Sequence, residues 1–138
     1  MAIKIKIMTF NISAEDLCSN NNIVNVTHII KQINPDIIGI QETCCYDENN
    51  KIYTDISSYK IIANELSYFF YKQKEQNCCI LSKYPVIESS NNDYGVVVKI
   101  SDFYFGIFNI HLTDEPYQPY QLGGVMYGSP EINPLIDN

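Results

Sequence analysis

Isoleucine and lysine alternate at the start of the chain: Ile3, Ile5 and Ile7 fall on one side and Lys4 and Lys6 on the other. That two-residue period predicts a half-exposed strand running to Asn11, which is in phase with the isoleucines. The period then changes. Ile23, Val26, Ile30 and Ile33 recur at spacings of three and four, which predicts a helix over residues 22–33 that Asn34-Pro35 ends. His28 falls on the far side of that helix from Val26, so it is expected to face solvent and is given no role. Over residues 36–42 apolar side chains occupy both faces, Ile37 on one and Ile38 and Ile40 on the other, as in a central strand covered on both sides.

These segments make a strand, helix, strand unit. Further strands are predicted over residues 59–63, 68–72, 78–82, 95–100 and 103–110, with polar turns between them. Ser101-Asp102, set between two apolar runs, reads as a tight hairpin. A second helix is expected after Pro116, stopped by Gly123-Gly124. The fold class that follows is α/β, a mixed β-sheet with a flanking helix. One domain is expected over residues 1–124, with residues 125–138, which carry Pro130 and Pro134, as a loosely ordered tail.

Composition narrows the function classes. A hydrophobic content of 46% over 138 residues is enough for one core. Nine Lys and Arg against 16 Asp and Glu leave a net charge of −7, which argues against a broad electrostatic grip on nucleic acid. Contact with a polyanion would have to be local, with a bound cation supplying the missing charge. Cys18, Cys44, Cys45, Cys78 and Cys79 form no CxxC spacing, so reduced thiols are expected rather than a disulfide framework or a zinc site. With Lys4 and Lys6 interrupting the first apolar run and no stretch of membrane-spanning length, the expectation is an intracellular, cytoplasmic-type protein.

Three of the apolar runs stop at a polar residue suited to metal or phosphate: Asn11, Glu42 and His111. In sheets backed by helices, ligands gather where the carboxyl ends of strands open onto loops, so the three endings can line one crevice. An amide oxygen and a carboxylate are hard ligands that suit Mg2+ or Mn2+ together with water and substrate phosphate. A histidine there can donate a hydrogen bond to a phosphoryl oxygen as charge grows on it.

The segments IKIMTFNI (5–12), PDIIGIQE (35–42), ILSKYPV (80–86) and FNIHLTD (108–114) resemble, in order and spacing, the endonuclease/exonuclease/phosphatase superfamily of DNase I-like enzymes. The resemblance implies half of a four-layer α/β sandwich and a Mg2+-dependent phosphodiesterase or nuclease. It assigns Asn11 and Glu42 to the metal site and His111 to phosphate contact. It also implies a second half that supplies a Gly-Asp-Phe-Asn type segment and a late Asp-His pair. The 27 residues after His111 (138 minus 111) hold no further His and no Asp-x-Asn triplet. The expectation is an incomplete site, completed by another chain, or an inactive relative that serves as a binding or dimerising module.

Without the second half, the sheet face opposite the helix is expected to lie bare and to pair with a second copy or a completing chain. Tyr117 and Tyr120 are candidates for stacking on a base or sugar, against the commoner role of packing a proline-containing loop. Ser82 and Lys83 are expected in a strand-exit turn, with Lys83 solvated. A redox or thiol-metal role for the paired cysteines is the weakest alternative.

Overall fold

The computed structural model describes residues 3–14, 20–47, 49–74 and 77–112. Strand β1 (Ile7–Asn11), helix α1 (Asn20–Ile33) and strand β2 (Ile37–Gln41) form the first unit, with β1 and β2 parallel and Asn11 opposite Gln41. Parallel neighbours need a crossover between them, and α1 supplies it. Asn34 closes the helix with φ 49° and its N–H on the Ile30 carbonyl, and Pro35 follows. β5 (Phe69–Lys72) and β6 (Cys78–Ser82) complete a mixed four-stranded sheet in the order β1-β2-β6-β5.

Helix α2 (Ser58–Leu66) stands where the sequence predicts a strand over residues 59–63. Its buried residues Tyr59, Ile62 and Ala63 are three and four apart, a helical period. The neighbouring Ile61 and Ile62 resembled a strand run, yet Ile61 is exposed and only Ile62 enters the core. Ser67, with φ 56°, ends the helix, and the Tyr68 N–H reaches back to the Ala63 carbonyl.

Both helices cover one face of the sheet. Ile23, Val26 and Ile30 of α1 and Tyr59, Ile62 and Ala63 of α2 pack on Ile38, Ile40, Cys79 and Leu81. Burying an isoleucine fully is worth about 1.5–3 kcal/mol against leaving it exposed, so this layer is a major stabilising contact of the sheet.

The opposite face is not bare, contrary to expectation. β7 (Val86–Ser89), β8 (Gly95–Ile100) and β9 (Phe103–Phe108) form a second, antiparallel sheet. Val96, Val98 and Ile100, with Phe105 and Ile107, pack on Ile37 and Ile80. Ile37 and Ile38 therefore enter different cores, which is why β2 is buried at every position. The expected exposed apolar surface lies instead on the second sheet, where Ile87, Tyr104 and Phe108 are solvent-facing.

Ser101-Asp102 links β8 to β9 as a tight hairpin with Ser101 at φ 55°. A short hairpin, β3 (Cys45–Asp47) with β4 (Ile52–Thr54), follows the end of β2, in a stretch where the sequence predicts no strand. The thiols depart from expectation at one point. Cys45 is disulfide-bonded, whereas Cys44, Cys78 and Cys79 are free and buried. No helix among the described residues is long and apolar enough to cross a membrane. The proposed tail, the helix after Pro116, and Tyr117 and Tyr120 lie outside the described residues.

Candidate active site

The parallel pairing of β1 and β2 brings their carboxyl ends level, so Asn11 and Glu42 leave the sheet side by side. Glu42 has φ 60°, a left-handed conformation that costs an L-residue about 1–2 kcal/mol. The carboxylate is held on both oxygens. Asn11 Nδ2 donates to Glu42 Oε1 at 2.7 Å, and the Ala14 N–H donates to Oε2 at 2.8 Å. Asn11 Oδ1 accepts the Ser13 N–H at 3.0 Å, which fixes the amide with its nitrogen toward Glu42.

His111 arrives from the second sheet. Its Nε2 stands 3.5 Å from Glu42 Oε1, with 39% of the histidine side chain and 30% of the glutamate side chain accessible to solvent. Three residues singled out from separate strand endings thus meet on one carboxylate oxygen. Both side chains are therefore partly open to solvent.

Below Glu42 lies a layer that the sequence reading did not single out. Gln41, Gln73 and Asn109 are buried amides from three parts of the chain. Asn109 Nδ2 donates to the Ile40 carbonyl at 2.9 Å and reaches Gln73 Oε1 at 3.0 Å and the Cys79 carbonyl at 3.1 Å. Its Oδ1 accepts from Gln41 Nε2 at 2.6 Å. Their signal in the sequence was a polar residue in phase with an apolar face, Gln41 after Gly39 and Asn109 after Ile107. Lys72 also underlies the site, with Nζ 3.2 Å from Thr43 Oγ1 and 5.7 Å from the centroid of the Tyr59 ring.

Burial pushes the Cys44 and Cys78 thiols up from their ordinary value and takes Cys79 to about 12, so these groups sit under the site as neutral thiols. Lys83 lies elsewhere. It ion-pairs with Asp36 at 3.1 Å beside the start of β2, roughly five strand residues, or about 17 Å, from Glu42. His28 is exposed on α1 and contacts Gln32.

One carboxylate and one amide, partly open to water, fit a hard divalent cation that keeps several of its waters. No group of three or more His, Cys, Asp or Glu side chains suited to a metal occurs among the described residues.

Two structures of TDP2 from Caenorhabditis elegans, one of them truncated, share the fold at 21% identity and a TM-score of 0.52. The similarity covers 87% of this chain but 39% and 51% of theirs. A β-hairpin deletion mutant of beta toxin from Staphylococcus aureus aligns at 12% identity and a TM-score of 0.48, over 75% of this chain and 49% of that one. The chain thus spans about half or less of the length of each. No curated protein sequence matches it. The model of the Endonuclease/Exonuclease/phosphatase family matches residues 8–126, which takes in both sheets, both helices and the meeting of Asn11, Glu42 and His111; the chain belongs to that family.

Proposed function

We propose that the chain carries the metal-binding part of a Mg2+-dependent phosphodiesterase of the nuclease type, acting on a phosphate ester, with nucleic acid among the candidate substrates. The observation that carries this reading is the approach of Asn11 Nδ2 and His111 Nε2 to the same oxygen of Glu42. Glu42 would face the ion with its carboxylate, which Asn11 Nδ2 and the Ala14 N–H hold, and Asn11 Oδ1, which accepts the Ser13 N–H, would have to turn toward Glu42 to join it. Mg2+ or Mn2+ bound there supplies Lewis-acid stabilisation of a phosphoryl oxygen.

His111, whose Nε2 stands 3.5 Å from Glu42 Oε1 and whose side chain is partly exposed, would be the donor for a non-bridging oxygen of the ester. Lys72, whose Nζ reaches Thr43 Oγ1 next to Glu42 in the chain, would add positive potential to a chain whose net charge is −7. The base that activates water is not among these groups. In this reading it comes from a second copy or from a completing chain, to which the exposed side chains Ile87, Tyr104 and Phe108 of the second sheet offer apolar surface. The partial ligand set also supports a second reading, a non-catalytic binding or dimerising module of the same family.

Calorimetric titration of Mg2+ into the folded chain, beside Glu42→Gln, separates the two. Saturable binding weakened at least tenfold in the variant supports the metal site, and Mn2+-dependent cleavage of bis(p-nitrophenyl) phosphate would extend it to catalysis. A folded chain that binds neither ion favours the module.

A further inference from the structure

We propose that the buried cluster of Asn109, Gln41 and Gln73 is a positioning device, which locks the second sheet onto the first in the one register that sets His111 against Glu42. The proposal rests on the function given above for its meaning, but its geometry stands without a metal. Gln41 is the residue before Glu42, and Asn109 lies two residues before His111. A bond between their amides, Gln41 Nε2 to Asn109 Oδ1 at 2.6 Å, is thus the shortest buried link between the two strand ends that carry the site.

The cluster reaches further. Gln41 Nε2 also meets Thr9 Oγ1 at 3.1 Å on β1. Gln73 Nε2 donates to the Asn109 carbonyl at 2.9 Å and to the Asp93 carbonyl at 3.1 Å, which ties in the turn before β8. Asn109 in turn donates its own N–H to the Tyr94 carbonyl at 2.9 Å. At 7%, 0% and 4% exposure, Gln41, Gln73 and Asn109 have given up water for these bonds.

Apolar side chains of similar volume would cover the sheet without that desolvation cost, so stability alone does not favour amides here. Direction does. The apolar contacts of Val96, Val98 and Ile100 would tolerate a small slide of one sheet over the other, whereas each amide has its partners at one position only. A slide by one residue is about 3.3 Å, which would carry His111 out of contact with Glu42.

Gly39 is an independent sign of the same fit. A β-carbon on Gly39 would lie 2.7 Å from Asn109 Oδ1 and 3.0 Å from its Cγ, so β2 presents bare backbone where the amide enters. No turn or positive φ requires a glycine at that point in the middle of the strand. The close approach of Asn109 does.

The test reads the position of His111 without metal and without activity. The chain has two histidines, so the ring resonances of His111 are resolved by NMR beside His28 as an internal control on α1. At one fixed pH, Glu42→Gln is expected to shift the His111 ring signals and leave those of His28 in place. In Asn109→Ala, Gln73→Met and Gly39→Ala backgrounds the same Glu42→Gln change should shift His111 at least threefold less, while amide spectra report a folded chain. Gly39→Ala keeps every polar group and only displaces Asn109, so it decides the matter if Asn109→Ala does not fold. A purely structural cluster would lower the unfolding midpoint of these variants yet leave the Glu42-dependent shift undiminished, and that result overturns the proposal. So does the absence of any His111 shift in the otherwise wild-type protein. Failure of Mg2+ binding would sink the metal reading and leave this readout intact.

Discussion

Glu42 offers an inverted substitution order that follows from its backbone. Its left-handed φ of 60° turns the carboxylate back over the end of β1, where Asn11 and the Ala14 N–H receive it. Bonds to a charged group are worth about 1.5–3 kcal/mol each when buried, but with Glu42 30% exposed about 1 kcal/mol each is the appropriate scale. Glu42→Ala removes both bonds and keeps the left-handed backbone, a loss of about 2 kcal/mol. Glu42→Gly removes the same bonds but recovers about 1 kcal/mol, because glycine adopts positive φ without the β-carbon clash. Glycine should therefore exceed alanine in stability by about 1 kcal/mol, the reverse of their order inside a helix or strand. Urea unfolding of the metal-free wild type and both variants measures this directly, and both variants should lose Mg2+ binding. If Glu42→Ala is as stable as Glu42→Gly, or more stable, the carboxylate is not aimed by a strained backbone and the reasoning fails.

Gly39→Ala should cost about 1–3 kcal/mol in urea unfolding, as overpacking against Asn109 does in a filled core, and a neutral result would contradict the close approach. The Cys79 thiol, held near 12 by burial, should resist iodoacetamide at pH 8 in the folded chain and react once urea unfolds it; rapid native labelling by mass spectrometry would contradict its burial. Asp36 is held below its ordinary value of 3.8, chiefly by the Lys6 N–H at 2.8 Å and then by the Lys83 ammonium. A depressed carboxyl contributes stability above its unfolded value and loses it as pH falls through the folded one, so acid unfolding below about pH 4 should flatten in Asp36→Asn. An unchanged acid slope in that variant would remove Asp36 from the account.

The three strand endings that meet at Glu42 were more legible in the sequence than the layers around them. Asn11, Glu42 and His111 could be read because each ends an apolar run, and a strand ending is a local signal that survives in one dimension. The alternation of Ile37 and Ile38 likewise disclosed a strand covered on both sides, although what covered the second side was misjudged. Val96, Val98 and Ile100 look like any half-buried strand, and only the long-range packing onto Ile37 and Ile80 reveals their partner. Helix α2 was missed because Tyr59, Ile61, Ile62 and Ala63 satisfy a short strand run as well as a helical face, and tertiary burial decides between them. The amide cluster was hidden for the same reason. Gln41 and Asn109 are 68 residues apart, and nothing local announces that they share a bond.

We propose that Glu42, steadied by Asn11 and faced by His111, holds a divalent cation. Crystals of the chain soaked in Mn2+ test it most directly through the anomalous signal of the ion. A bound ion is expected to give a peak about 2.0–2.2 Å from a Glu42 carboxylate oxygen, on the side that His111 faces, and none in Glu42→Gln. Saturating Mn2+ with no peak at Glu42, or with one bound elsewhere and unaffected by the substitution, would contradict it.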